Sequence, residues 1–423
     1  NLCATTLYGD GSCLTGIGFD PDAYNNLYAG FEAGKCSDSD TEYNIALGYQ
    51  SGCALNSGDH NVFLGSHSGQ NATSGGCSVF IGYQSGQYNR GQYNLLLGFH
   101  AGKGTTTSQD NTGGCNVILG YTAGCCLVTG CDNVIIGKDA ARFISCGNDN
   151  ILVGREAGYC NCTATCNVFI GATSGRCNTT GSCNTFIGKG AGAYNVACHH
   201  NTYVGSDAGC QNVAGTYNSI LGALSGTLLN GCYNTILGAE TGSGGCSCAG
   251  ASGNVLLGYA VSRCITTASC NVALGFMAHD RSCTGCFNVS IGSETAYNVT
   301  CGNDNIFIGR GAAKGGTSCC ISSDNNIAIG QCAMYDNTSN CMGACNIAIG
   351  VTALKCITST NNIAIGSCAG EYSTSASSNV FLGYQAGKCN CTGDQNVFIG
   401  QEAGRNNCNG CKNFFGGYLT GYT

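Results

Sequence analysis

Along most of the chain, apolar residues come in groups of three, each fenced by an asparagine before and a glycine after. The pentapeptide Asn, apolar, any, aliphatic, Gly recurs 23 times, its glycine first at Gly30 and last at Gly417. Of the 22 intervals between these glycines 14 are 17 residues long, and the others run from 16 to 22. A unit of that length is too short for a pair of helices. Its core, Asn-Val-Phe-Ile-Gly at Asn167 to Gly171, is β-branched and aromatic, with the alternation of a strand. Each copy therefore predicts one strand of a coil, and the chain predicts an all-β fold, a parallel β-solenoid (β-roll or β-helix) of about 23 coils. At about 4.8 Å per coil that is a rod roughly 110 Å long.

The position four before the glycine is Asn in 22 of 23 copies, Ser78 being the exception, so coils in register would stack these amides into a ladder. Three before and one before the glycine stand Val/Ile and Ile/Leu, as in Val168 and Ile170 or Val397 and Ile399. Period 2 puts both on one face, which this reading assigns to the interior. The residue two before the glycine then points outward. It is Phe63, Phe80, Phe169, Phe186, Phe307, Phe381, Phe398 and Phe415 in the aromatic copies, thinning to Ala46, Ala273, Ser290, Ala328, Ala348 and Ala364 elsewhere. An outward apolar stripe of that length exceeds what a monomer exposes, so it should be covered, either by a second layer or inserted loops of the same chain or, as expected here for these phenylalanines, by another chain. A small residue and a second Gly follow three and four after the motif glycine, as in Ala157 and Gly158, and mark a tight corner. Residues 1–25 depart from the repeat and hold the only proline, Pro21. They are expected to cap or dock the repeat rod of residues 26–423, with the last coil joining the N-terminal segment of another copy into a filament.

Composition narrows the class. Only 9% of residues are charged, Gly numbers 69, Pro appears once and Trp never, which excludes collagen and proline-rich linkers. At 43% hydrophobic and a net charge of -7 the chain is not of the disordered type. No run of 18 apolar residues spans a bilayer, and the 16 Lys and Arg are scattered singly, so membrane spanning and nucleic-acid binding drop out. The 36 cysteines point to an oxidising compartment and to disulfides rather than metal. The chain begins at Asn1 with neither Met nor signal peptide, in keeping with a secretory leader already removed. Cys160 and Cys166, Cys177 and Cys183, and Cys264 and Cys270 allow bonds within one coil or along the axis. Positions 17 away from the last pair are Ser247, Arg281, Gly253 and Phe287, so closure within a coil is expected for all three pairs.

The copies ending in Gly330, Gly350 and Gly366, each Asn-Ile-Ala-Ile-Gly, resemble the head repeat of trimeric autotransporter adhesins of the YadA type. The fuller unit from Asn379 to Gly387 resembles repeats in tail-fibre-like proteins of phages and giant viruses. The resemblance implies a β-roll that trimerises through one strand face, on a cell or virion surface. The adhesin repeat is shorter and cysteine-poor, and a coiled-coil stalk, membrane anchor and chaperone domain are not seen in this sequence.

Candidate chemistry is sparse. Asp139 and Glu156 are 17 residues apart and would stack about 5 Å apart, near the spacing of a retaining glycosidase pair, but Lys138 and Arg155 stand beside them on an exposed turn. Cys198, His199 and His200 lack a nearby fourth metal ligand, and Asp149 and Asp304 are lone carboxylates in turn sequences. Of seven Asn-x-Ser/Thr sites, Asn288 belongs to the ladder and is the poorest glycosylation acceptor. No catalytic, cofactor-binding or metal residue is expected. The reading is a non-enzymatic, disulfide-reinforced fibre, extracellular or on a cell or virion surface, whose partners are copies of itself. An adhesin binding a glycan or host receptor is the alternative.

Overall fold

In the computed structural model, described for residues 21–422 apart from 106–110, 244–249, 282, 317–322 and 336–341, each pentapeptide forms one strand. The chain is an all-β parallel solenoid, with strands running from β1 (Leu27–Ala29) to β23 (Phe414–Gly416) and no α-helix among the described residues. The coils group into two compact units, one ending at Asn150 and the other beginning at Ile151. The first holds β1 to β7 (Val134–Ile136), and the second β8 (Ile151–Val153) to β23. Within each unit every strand pairs in parallel with its sequence neighbours, position for position. Val168, Phe169 and Ile170 stand opposite Thr185, Phe186 and Ile187, which stand opposite Thr202, Tyr203 and Val204. Most of the segment expected to cap the repeat, residues 1–20, lies outside the described residues.

The two strand faces are the reverse of the expectation. Phe63, Phe80, Phe169, Phe186, Phe307, Phe381 and Phe398 are buried inside their own coils, at 1% exposure or less, and Phe415 is half-buried against Phe398. They are core, and the role expected for them as contacts with another chain is withdrawn. Ile170 and Ile187, expected inside, are 40% and 37% exposed. The physical reason lies one residue earlier. The ladder asparagines from Asn26 to Asn396 are buried, as Asn167 and Asn184 are at 0%, and period 2 puts the residue two before the glycine on their face. β-Branched residues were no evidence of burial, because a flat exposed strand favours them too.

The ladder ties three coils together at each step. The Asn184 N–H donates to Asn167 Oδ1 (2.9 Å), its Nδ2 donates to the Cys198 carbonyl (2.7 Å), and its Oδ1 accepts from the Asn201 N–H (2.9 Å). Where Ser78 interrupts the row, its Oγ still accepts from the Asn94 N–H (3.1 Å). The motif glycine is demanded by the stacking itself: a Cβ on Gly188 would lie 2.4 Å from the carbonyl oxygen of Gly205 one coil on, at a φ of 132°. The second glycine answers a different need, since a Cβ on Gly192 would lie 2.5 Å from the Phe186 ring. Core volume is traded between these two positions. Beside Ala328 and Ala348 the place of the second glycine is taken by Met334 and Leu354, and beside Ala273 by His279, all buried. The coil thus fills its narrow interior from either side.

Candidate assembly surface

The residues that flank the buried row make the outward face of each strand. In the first unit they are pairs such as Ile45 and Leu47 or Val79 and Ile81, and in the second Val168 and Ile170 or Ile363 and Ile365. None of these positions in any strand carries a charge. Leu221 and Leu237 reach 48% and 43% exposure. Over the sixteen strands of the second unit, such half-open aliphatic side chains amount to at least roughly 1,000 Å² of apolar surface, more than a monomer ordinarily leaves open.

The corners on either side hold exposed rings in register. In the first unit Phe31 stacks on Tyr49 with centroids 5.4 Å apart, Tyr83 on Phe99 at 5.3 Å, and Phe99 on Tyr121 at 5.1 Å. In the second, His200 stacks on Tyr217 at 4.8 Å and Tyr217 on Tyr233 at 5.2 Å. The ring planes lie within 20° of one another in all five pairs, so the faces cover each other and the edges meet solvent.

The residues weighed for chemistry are engaged in holding coils together. Asp139 binds Arg142 (3.2 Å) and the Thr122 hydroxyl, and Glu156 binds Arg176 (2.8 Å). These arginines, rather than Lys138 and Arg155, neutralise them, and Lys138 lies over the Tyr121 ring instead. His199 Nδ1 accepts from the Ser182 N–H (3.0 Å), while His200 faces Tyr217 and Cys198 is buried, its thiol pushed up to about 11 by that burial. The three side chains do not converge, and no group of His, Cys, Asp and Glu among the described residues is arranged to hold a metal. Asn148 Oδ1 accepts from the Cys131 N–H (2.8 Å) and Asn303 Oδ1 from the Cys286 N–H (2.9 Å), so the turn sequences that hold Asp149 and Asp304 serve coil stacking. Five sequon asparagines, Asn161, Asn178, Asn288, Asn298 and Asn390, are buried. Asn71 is half-buried, and Asn337 lies outside the described residues. A surface groove of about 410 Å³ in the first unit is lined by Arg90, Tyr93, Cys115, Cys131 and Asp132.

No disulfide is formed among the described cysteines. For two of the three pairs expected within one coil, the coils bring other partners together: the Cys183 thiol is hydrogen-bonded to that of Cys166, and Cys160 interacts with Cys177. Cys125 and Cys126 are neighbours in the chain and hydrogen-bonded to one another, which holds Cys126 down to about 7, with Arg142 adding to the effect. Arg263 pairs with the buried Asp280 carboxylate, Nη2 to Oδ2 at 2.8 Å and Nε to Oδ1 at 3.2 Å, across consecutive coils. No helix among the described residues is long and apolar enough to cross a membrane. Known protein families, curated proteins and solved structures were compared with the chain, and none matches.

Proposed function

We propose that this chain is a non-enzymatic structural protein that assembles with copies of itself, through the outward face of its strands, into an extracellular or virion-surface fibre. The observation that carries the reading is the uncharged, largely aliphatic outward face of the strands, broken by Thr or Ser at Thr185, Thr202, Ser219 and Thr235. A stable interface covers about 800 Å² per partner, and the second unit alone offers at least that. A second copy is the occupant that fits best, because its own face has the same spacing along the axis and the same lack of charge. The 36 cysteines and the 9% charged fraction support an oxidising setting outside the cytosol. The YadA-type and tail-fibre resemblance of the motif points the same way. Sedimentation velocity tests it: the native protein should run as an oligomer at micromolar concentration. Ile170→Lys with Ile187→Lys should shift it toward monomer while the β-sheet circular dichroism stays. A native protein that sediments as a monomer would overturn the reading.

A second reading, a glycan or receptor binder, is favoured by the exposed rings of Phe31, Tyr49, Tyr83, Phe99 and Tyr121. Sugar rings stack on aromatic faces, and here those faces are already covered by neighbouring rings, which ranks it below assembly.

A further inference from the structure

In-register coiling turns a 17-residue spacing into physical adjacency. Strand positions such as Val168 and Thr185 are direct partners, and the ladder continues beyond the strands. The Cys160 N–H donates to the Arg176 carbonyl (2.9 Å), the Cys177 N–H to the Ala193 carbonyl (2.8 Å), and the Cys183 N–H to the Thr165 carbonyl (3.0 Å). Cys160 and Cys177 therefore occupy one row, and Cys166 and Cys183 another, at left-handed corners with φ of 57° and 59°. Near the end of the second unit the Thr392 N–H donates to the Cys408 carbonyl (2.9 Å), and the Cys391 and Cys408 thiols are hydrogen-bonded. Coils about 4.8 Å apart place the Cα atoms of such pairs inside the roughly 4.4–6.8 Å window of a disulfide.

We propose that Cys160 with Cys177, Cys166 with Cys183, and Cys391 with Cys408 are sites of oxidative cross-linking between consecutive coils. The oxidant is a low-molecular-weight disulfide. In the second pair the Cys166 thiolate attacks one sulfur of oxidised glutathione, forming a mixed disulfide and releasing one glutathione thiolate. The Cys183 thiolate then attacks the Cys166 sulfur, the new S–S bond forms, and the second glutathione leaves. The two protein thiols lose two electrons and two protons, which the oxidant takes up as two molecules of glutathione. Burial and the adjoining Cys166 thiol both raise Cys183. Two of these bonds join the same two coils, and each closes a 17-residue register. The inference is independent of self-assembly, since the bonds lie within one chain.

The placement of Arg and Lys makes the test direct. Trypsin cuts after Arg155, Arg176 and Lys189, giving peptide 156–176 with Cys160, Cys162 and Cys166 and peptide 177–189 with Cys177 and Cys183. It also separates 389–405, with Cys389 and Cys391, from 406–412, with Cys408 and Cys411. The full chain is equilibrated with oxidised and reduced glutathione and blocked with N-ethylmaleimide, and the monomer band of a non-reducing gel is digested and weighed. Axial bonding leaves 156–176 joined to 177–189 and 389–405 joined to 406–412, and the Cys160→Ala variant keeps the first junction through Cys166 and Cys183. Bonds confined within single peptides, glutathione adducts alone, or junctions found only in a dimer band would each overturn the proposal.

Discussion

Replacing Phe186 by Ala separates a core row from an interface row most sharply. The Phe186 ring has no exposure and stacks 4.8 Å from both Phe169 and Tyr203, at 4° and 9°. Burying such a ring removes about 200 Å² from water, about 5 kcal/mol at 25 cal/mol/Å². Alanine keeps the Cβ and the coil relaxes in part, so the net loss sits near about 4 kcal/mol, inside the range for Phe→Ala in cores. Each coil contacts only its neighbours, so the damage is local. The amides of Thr185 and Thr202, which donate to the Asn201 and Asn218 carbonyls (both 2.8 Å), should exchange with deuterium about 1,000-fold faster, at 1.4 kcal/mol per tenfold. Ile187→Ser, on the outward face, should change the same exchange far less in the dissociated chain. An exchange rate in Phe186→Ala within tenfold of the parent would refute the assignment of this row to the core.

Two further outcomes follow from single side chains. Asn184→Ala should cost about 2–4 kcal/mol, because the buried Asn201 N–H and Cys198 carbonyl lose their partners, whereas Asn184→Ser should cost less by keeping an acceptor as Ser78 does; urea midpoints compare the two. Burial holds His279 down to about 4, with Ser290 Oγ at 2.8 Å from Nδ1 and no partner at Nε2. A folded pKa depressed below the unfolded value of 6.5 means stability complete above about pH 6.5 and lost as pH falls toward 4, by about 3 kcal/mol at 1.36 kcal/mol per unit. Denaturation at pH 7 and pH 4.5 should show this slope in the parent and a smaller one in His279→Met, the residue found at the equivalent Met334.

The repeat, its parallel coiling and the asparagine ladder were all legible because they rest on spacing, and every pentapeptide became a strand. The sense of the strand was harder to read. Three successive apolar residues carry no polar mark to tell in from out, and Val168 and Ile170 look as buried in sequence as Phe169 does. Two signals could have decided it. Asparagines bonding to one another are strong only away from water, and Asn167 shares its face with Phe169 rather than with Val168. The exchange of bulk between Ala328 and Met334, against Phe169 and Gly175, also marks two positions filling one space. The cysteine partners were ambiguous for another reason: Cys166 is near Cys160 in the chain and near Cys183 in space, and only the coil register ranks the second above the first.

Electron cryomicroscopy of the native protein at micromolar concentration addresses self-assembly most directly. Association through the strand face predicts multi-chain particles in which the row of Ile170, Ile187, Leu221 and Leu237 is covered by another chain while Phe169 and Phe186 remain inside their own coils. Single chains, or particles joined elsewhere that leave that row open to solvent, would contradict it.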